Sequence, residues 1–322
     1  MSETREPRVA VVGATGAVGN EIVELIAARG FPNSELGLFA SQGGAAGTVE
    51  TDDDEYLVET LRDPDDLAQF DLAFLAVPES AAAEITRAAP GPVLIDLSSA
   101  TRRPSTVVPM VAPGVTPRGR VPELSGAKLF ATPHPIAHVL SLCLGAIHPS
   151  AVTATAMLGA SASGRGSIAR LVDQTTDLLA ARLDLEGDDV QRAFNALVRE
   201  SERSAADRIA AQVAALMTAP PLSIHVVAIP VLHGSGLTIS ATLDEMGEEW
   251  LERLRATPGV LLAEEGEPLS IVDAVGQEAI MIRAERDAAG VSLWCVFDNT
   301  RLAALSAIWV AETFAIGAPV AN

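Results

Sequence analysis

The stretch VAVVGATGAVG, from Val9 to Gly19, decides the fold of this chain. It begins with a short, fully apolar run, which is typical of a buried parallel strand. It continues into a turn with three glycines, and the next ten residues, NEIVELIAAR, have the apolar spacing of a helix that ends at a glycine. The pattern therefore predicts a strand, a tight glycine turn and a helix.

A glycine turn in this position binds a dinucleotide through backbone N–H groups and the positive end of the helix dipole. The first glycine permits the turn, the second lets the backbone approach a pyrophosphate, and the third allows close packing of helix and strand. A turn kept only for packing is the alternative interpretation. The residues predicted to hold a dinucleotide are Gly13, Ala14, Thr15, Gly16, Ala17, Val18 and Gly19.

Further apolar runs with strand and helix patterns follow along the chain. Residues 36–40, 71–77 and 93–96 have the pattern of strands, and the alanine-rich residues 80–89 have that of a helix. Strands that alternate with helices predict a doubly wound parallel sheet, which is an α/β fold of the Rossmann-like kind.

The pattern changes near residue 130. A helix is predicted over residues 136–146, and three β-rich segments follow with long helical runs between the first two. This arrangement predicts a second, α+β domain with a mixed sheet. The predicted segments are strands 151–158, 222–230 and 236–243, helices 167–183 and 189–217, and a last helix 302–316. We expect the first domain to contain residues 1–130 and 300–322, and the second to contain residues 131–299.

Composition excludes several classes of function. The net charge of −20 is unsuited to nucleic acid, because a phosphate backbone needs a basic face. Apolar stretches are interrupted before they reach about 18 residues, so we expect no membrane span. The polar start MSETREPR is unlike a signal peptide, and a cytoplasmic protein is expected. Both cysteines, Cys143 and Cys295, lie in apolar runs and are predicted to be buried free thiols.

Four segments resemble the aspartate-semialdehyde dehydrogenase family: the opening VAVVGATGAVG, LIDLSSATR (94–102), SASGRGS (161–167) and LWCVFDNTRLAAL (293–305). The resemblance spans nearly the whole chain, and a member that has lost the parent activity would be similar to the Usg-like paralogues. It implies an NAD- or NADP-binding domain, a second domain for substrate and dimerisation, and a homodimer. It also implies that the last helix returns to the first domain.

The catalytic positions depart from this family. Its members usually read Asn-Pro-Asn-Cys before the catalytic helix, whereas this chain reads TPHP and has Pro135 at the nucleophile position. The family's strand Arg-x-Pro-Val-x-x-Gly-His here has Ala228 for the carboxylate-binding arginine and Ser235 for the general-base histidine. Without a thiolate, no covalent acyl intermediate forms. We therefore expect a dehydrogenase-like protein that has lost the parent activity. Cys143 lies about two turns into the helix and is not expected to substitute.

The cofactor and anion positions are partly retained. Ser41 matches a family serine that holds the 2′-phosphate of NADP, but the accompanying arginine is replaced by Gly43. Asn299 matches an asparagine that lies near the nicotinamide. Cofactor binding is therefore expected to be weakened or lost. Arg102 and Arg165 match anion-binding arginines of the family, so the chain could bind a small anionic ligand.

Three histidines offer an alternative. His134 and His138 are four residues apart at the predicted helix start, and His233 lies two residues before Ser235. This group suggests either altered acid–base chemistry or a transition-metal site. Space-filling, hydrogen-bonded histidines are the favoured interpretation, because no carboxylate partner is identifiable from the sequence. A metal is accordingly not expected.

Overall fold

The computed structural model describes most of the chain. The described ranges are 6–40, 47–51, 55–88, 91–98, 110–116, 124, 126–182, 185, 190–243, 247, 249–264, 266–286 and 290–315. The chain divides into two compact units, Met1–His134 with Ala303–Asn322, and Pro135–Leu302. Each is treated by itself below.

The first unit is built on a seven-stranded sheet. Its strands are β1 (Arg8–Val12), β2 (Glu35–Ala40), β3 (Gly47–Glu50), β4 (Glu55–Thr60), β5 (Leu72–Leu75), β6 (Val93–Asp96) and β7 (Leu129–Ala131). Its described helices are α1 (Ala17–Ala28) and α2 (Glu79–Ala88). The strand order is β3-β4-β2-β1-β5-β6-β7, and every pairing is parallel except that of β3 with β4.

The central strands of this sheet are buried on both faces. Val9 and Val11 pack into one apolar cluster with α1, while Ala10 and Val12 pack into a second cluster on the opposite face. A continuous apolar run is the expected composition for such strands, because neither face meets water. The predicted doubly wound sheet is confirmed. The pairing of β3 with β4 was not predicted, since residues 47–51 and 55–60 are mostly exposed and lack a continuous apolar run.

The second unit is built on a six-stranded mixed sheet. Its strands are β8 (Ala151–Leu158), β9 (Leu222–Ala228), β10 (Ser235–Thr242), β11 (Val260–Leu262), β12 (Ile280–Arg286) and β13 (Gly290–Phe297). Its helices are α3 (Pro135–Ile147), α4 (Arg165–Leu179), α5 (Glu200–Leu216) and α6 (Glu249–Arg255), and α7 (Asn299–Val310) begins here and continues into the first unit. The order is β11-β12-β13-β10-β8-β9.

Helix α3 lies in the core of this unit. Eleven of its residues are buried, which explains why its sequence is apolar on all sides. It packs against α5 and α6, and α5 also packs on β9. Strands β8 and β9 are parallel, whereas β8 and β10 are antiparallel, so the predicted mixed sheet is confirmed.

One predicted helix is wrong over part of its length. Residues 189–217 were predicted to be helical, but within the described part α5 begins only at Glu200. Phe194 has a φ of 56°, a left-handed value that ends any helix there. The side-chain oxygen Oε1 of Gln174 also accepts the backbone N–H of Arg192 at 2.7 Å, which replaces a helical hydrogen bond. Residues 190–199 therefore form an irregular segment.

None of the helices in the described residues is long and apolar enough to cross a bilayer.

Helix α4 ends at Leu179, before its predicted end at residue 183. Residues 183 and 184 lie outside the described residues.

Candidate functional site

The glycine turn follows β1 at the point where the strand order reverses. The N–H groups of Gly13 and Ala14 donate to the carbonyl of Phe39 on β2, at 2.7 and 3.1 Å, and Gly16 N–H donates to Gly13 at 2.9 Å. Helix α1 begins directly after Gly16, and no side chain caps it. Because β2 and β5 lie on opposite sides of β1, the uncapped N-terminus of α1 follows the strand at the switch point of the sheet, where doubly wound folds bind their ligands.

The three glycines are not equivalent. Gly13 has a φ of +87°, and a Cβ there would overlap the carbonyl oxygen of Ala76. A Cβ on Gly19 would overlap the carbonyl oxygen of Gly13. A Cβ on Gly16 would approach Gly13 O only to 3.1 Å. Close backbone contacts therefore explain Gly13 and Gly19, whereas a Cβ on Gly16 would be tight against Gly13 O without overlapping it.

Two predicted ligand positions lie outside the described residues. Ser41, together with Gly43, falls in residues 41–46, and Arg102 falls in residues 99–109. Arg165, the other predicted anion-binding arginine, is exposed as the first residue of α4.

Pro135 is the first residue of α3 and is half-buried. Proline suits this position because the first helical N–H has no partner within the helix and the ring already has the required φ. The prediction that proline begins this helix is confirmed. The side chain at the helix N-terminus is thus a saturated ring, with no atom that can attack a carbonyl carbon.

The two cysteines face each other inside the second unit. Both are fully buried free thiols, and their Sγ atoms lie 4.0 Å apart, between α3 and β13. The hydrogen bond with Cys143, together with burial, raises the pKa of the Cys295 thiol. A protonated, enclosed thiol is a poor nucleophile. The prediction that both cysteines are core residues is confirmed.

Ser235 and Asn299 meet in a buried hydrogen-bonded group. The hydroxyl of Ser235 donates to Oδ1 of Asn299 at 3.2 Å, and the hydroxyl of Ser161 donates to the same oxygen at 3.0 Å. All three side chains are at most 5% exposed. Because both hydroxyls occupy Oδ1, the Nδ2 amino group of Asn299 is directed away from the serines. Sequence reasoning included Ser161 in a motif but gave it no role.

Asp298 fixes the start of the helix that carries Asn299. Its Oδ1 accepts the N–H groups of Thr300 and Arg301 at 3.0 and 3.1 Å and the hydroxyl of Thr300 at 2.7 Å. Its Oδ2 accepts the N–H of Gly276 at 2.9 Å. A capping carboxylate satisfies helix N–H groups that would otherwise lack partners. The position of Asn299 is therefore rigidly set.

The three predicted histidines do not form a metal centre. His138 is buried on α3, whereas His233 is exposed in the loop before β10. His134 belongs to the first unit, as the last residue of its Met1–His134 segment. In the described residues, no group of three or more histidine, cysteine or acidic side chains is placed to hold a metal ion. The metal alternative thus gains no support from the geometry.

Comparison with known proteins agrees with this geometry. A family model described as the NAD-binding domain of semialdehyde dehydrogenase matches residues 8–119. A USG-1 protein homolog of Pseudomonas aeruginosa is 34% identical over 334 residues, covering 94% of this chain and 96% of that protein. The aspartate-semialdehyde dehydrogenase of Aquifex aeolicus is 28% identical over 337 residues, covering 95% of this chain and 97% of the enzyme.

Solved structures share the fold. A probable aspartate-semialdehyde dehydrogenase from Pseudomonas aeruginosa has a TM-score of 0.84 at 32% identity, with 95% of this chain and 97% of that chain covered. Aspartate-semialdehyde dehydrogenase II from Vibrio cholerae, complexed with ASA, also has a TM-score of 0.84 at 24% identity, covering 96% and 98% of the two chains.

These matches place the chain in the class of semialdehyde dehydrogenases with a Rossmann-like NAD-binding domain. Within that class, the chain belongs to the aspartate-semialdehyde dehydrogenase family, which here includes the USG-1 proteins.

Proposed function

We propose that this chain is a catalytically degenerate member of its family, which binds a dinucleotide and a small ligand without oxidising an aldehyde. The observation that carries the proposal is Pro135 at the N-terminus of α3, the position where the family resemblance places the nucleophile. A second nucleophile is not at hand, because Cys143 and Cys295 are buried against each other.

The side chains around the lost nucleophile support the same proposal. Ser235 stands at the family's general-base position and uses its hydroxyl as a donor to Asn299. Serine does not take up a proton near neutral pH, so it does not replace histidine as a base. Ala228 stands at the position of the carboxylate-binding arginine, and a methyl group offers no hydrogen bond to a carboxylate. Three replaced positions thus remove one mechanism.

A dinucleotide remains the expected cofactor-type ligand. The uncapped N-terminus of α1 and the strand-order reversal at β1 support a pyrophosphate site at residues 13–19. Asn299 would donate from Nδ2 to the nicotinamide carboxamide. Gly43 in place of arginine removes a partner for a 2′-phosphate, so NADP is expected to lose more affinity than NAD.

A homodimer is part of the proposal. The family resemblance assigns dimerisation to the second domain, and the sheet of the second unit presents exposed small polar side chains across three neighbouring strands. These are Ser223, Thr153 and Ser240, which pair in one row. Light scattering on purified protein should give twice the mass of the chain. A monomer at all concentrations would contradict this part alone.

The decisive experiment is a phosphate-dependent assay of aspartate semialdehyde with NADP⁺ or NAD⁺, followed by nicotinamide absorbance. We expect no turnover above the rate without protein, and calorimetry in parallel should detect dinucleotide binding. Cys143→Ser is the matched control, since it removes a thiol without touching the proposed site. Turnover by the unmodified chain would overturn the proposal, and turnover that disappears in Cys143→Ser would identify the cysteine as the hidden nucleophile.

A further inference from the structure

The paired thiols in the core of the second unit have a chemistry that the proposed function does not use. Cys143 lies on α3 and Cys295 on β13, 152 positions apart in the sequence, yet their Sγ atoms are 4.0 Å apart. Both side chains are fully buried, and they are the only two cysteines of the chain. The fold therefore brings all the thiol sulfur of the protein to one point, where a helix meets the sheet.

The residues around the two sulfurs are apolar. The Cα partners of Cys295 on the neighbouring strands are Leu237 on β10 and Ile282 on β12, and both are fully buried. Directly opposite residues in a sheet place their side chains on the same face, so these two flank the sulfur of Cys295. Such surroundings favour an uncharged group over a charged one.

The apolar surroundings decide between the two reactions that a pair of thiols can undergo. Binding of a metal ion would require two thiolates, and a structural zinc site takes four ligands. Among the described residues, no group of three or more histidine, cysteine or acidic side chains is placed to hold a metal ion. A disulfide needs no further ligand, and it is neutral. It is the product that these surroundings accept without burying a charge.

We propose that Cys143 and Cys295 form an oxidation site, at which a two-electron oxidant of the peroxide class joins the two sulfurs in a disulfide within the chain. The sulfurs of a disulfide are about 2.0 Å apart, so each Sγ has to move by about 1 Å from its present position. Rotation about the Cα–Cβ bond moves a sulfur without moving the backbone. The link can therefore form with little change in the position of α3 or β13.

The reaction with hydrogen peroxide is balanced. One cysteine sulfur attacks a peroxide oxygen, the O–O bond breaks, and a sulfenic acid and one water are formed. The second sulfur then attacks the sulfenic acid sulfur and displaces its hydroxyl group, which leaves as a second water with the thiol proton. Two thiols lose two electrons, and one peroxide gains them. Because the sulfurs are enclosed, the first step has to wait for local opening of the unit and is slow.

The disulfide would fasten the helix to the sheet. Linking residues 152 positions apart closes a long loop, and long loops lose the most conformational freedom in the unfolded chain. The oxidised protein should therefore be more resistant to unfolding than the reduced protein. This proposal does not rest on the proposed function, because it requires neither a ligand nor the absence of turnover.

The test treats the full reduced chain with hydrogen peroxide, removes the peroxide with catalase, and alkylates the unfolded protein with iodoacetamide before digestion and mass spectrometry. We expect a peptide pair that links Cys143 to Cys295, and dithiothreitol should separate the pair. The midpoint of thermal unfolding should rise by about 5 °C or more and should return after dithiothreitol. The six methionines can also be oxidised, but dithiothreitol does not reverse that change, so reversibility isolates the disulfide.

Cys143→Ala and Cys295→Ala are the matched controls, and neither should show a rise that dithiothreitol reverses. The linked peptide is measured in the unmodified chain, so this result does not depend on how well the variants fold. Two alkylated cysteines after oxidation, a sulfinic acid at either cysteine without the link, or a link between two chains would each overturn the proposal. An oxidised midpoint no higher than the reduced one would overturn the stabilising effect. Aldehyde turnover would contradict the proposed function and leave all these results unchanged.

Discussion

The glycine turn of the first unit and the start of α3 in the second unit differ in how far they match the family's sequence pattern. In the turn, the glycine pattern is intact, whereas the proposed function takes Pro135, Ala228 and Ser235 to replace reactive side chains of the family. The structure suggests why. Gly13 and Gly19 are required by close backbone contacts, so the fold itself constrains them. A nucleophile, a base or a substrate-binding arginine contributes chemistry but no packing that other residues cannot supply.

The largest expected effect is that of a substitution in the glycine turn, where backbone contacts constrain the residue. Gly13→Ala should destabilise the protein by roughly 3 kcal/mol or more, because its Cβ overlaps the Ala76 carbonyl and its φ is left-handed. Urea denaturation measures the change. Gly16→Ala is the matched control and should cost clearly less than Gly13→Ala while weakening dinucleotide binding, because its Cβ would lie 3.1 Å from Gly13 O and its φ is not left-handed. Similar losses in the two variants would refute the distinction between packing and binding glycines.

The next effect concerns acid stability. Burial alone would raise the pKa of Glu202, but hydrogen bonds from Arg199 and Ser201 lower it to about 2 in the folded state, below the ordinary value of 4.5. Its stabilisation is therefore complete above about pH 4.5 and is lost as the pH falls through about 2, to a total of about 3 kcal/mol. Denaturation at stepped pH should show this loss in the unmodified chain and not in Glu202→Gln.

Glu200→Gln is the control for that experiment. Glu200 lies on the same helix turn, but its side chain is 84% exposed and its nearest ion pair, with Arg203, is 3.9 Å long. Neutralising it should leave the acid-dependent loss nearly unchanged, because exposed pairs contribute little. An acid profile in which Glu202→Gln follows the unmodified protein would show that the pair is not what stabilises this region.

A smaller effect tests a replaced position. Ser235→Ala removes one of two donors to Asn299 Oδ1 and should cost about 1 kcal/mol in unfolding free energy. If Asn299 contacts the nicotinamide, dinucleotide affinity should also fall severalfold, as read by calorimetry. Ser240→Ala, an exposed position on the same strand, should change neither quantity. An unchanged affinity in Ser235→Ala would mean that serine at 235 is only a core filler.

The smallest effect is expected at the nucleophile position itself. Pro135→Ala should change the unfolding free energy by less than about 1 kcal/mol, because both residues are accepted in the first turn of a helix. Thermal and urea unfolding together measure it. A loss of several kcal/mol would indicate that proline was selected for stability, and the contrast between the two regions would then fail.

Much of the fold followed from local sequence patterns. The apolar run before Gly13, the all-apolar α3 and strands β8 to β10 were predicted within one or two residues, because each carries a clear periodicity or length. Strands β11 to β13 were not assigned. Within them, Val260–Leu262 spans only three residues, and such a short run has no periodicity to recognise. Strand β13 also pairs with β10, and this pairing joins residues far apart in sequence, such as Ser235 and Phe297, which no local pattern encodes.

The positions of the candidate site came from the family resemblance and stay a prediction, whereas its contacts were not foreseen. The sequence singled out Ser235 and Asn299 but did not indicate that Ser161 and Ser235 share one amide oxygen. The predicted helix 189–217 also covered residues 190–199, so the hydrogen bond from the Arg192 backbone N–H to Gln174 was not foreseen. A left-handed phenylalanine at residue 194 has no sequence signal of its own, because residues other than glycine rarely adopt this conformation.

The enclosure of both native sulfurs has a practical consequence. Water-soluble maleimides react with accessible thiols, and the chain's only two cysteines are fully buried in the folded protein. A cysteine engineered on any exposed loop would consequently be the only thiol that reacts quickly with a maleimide. Fluorophores or spin labels can then be attached at chosen places on either unit of an otherwise unaltered protein, and ligand-induced movements can be followed by changes in label separation.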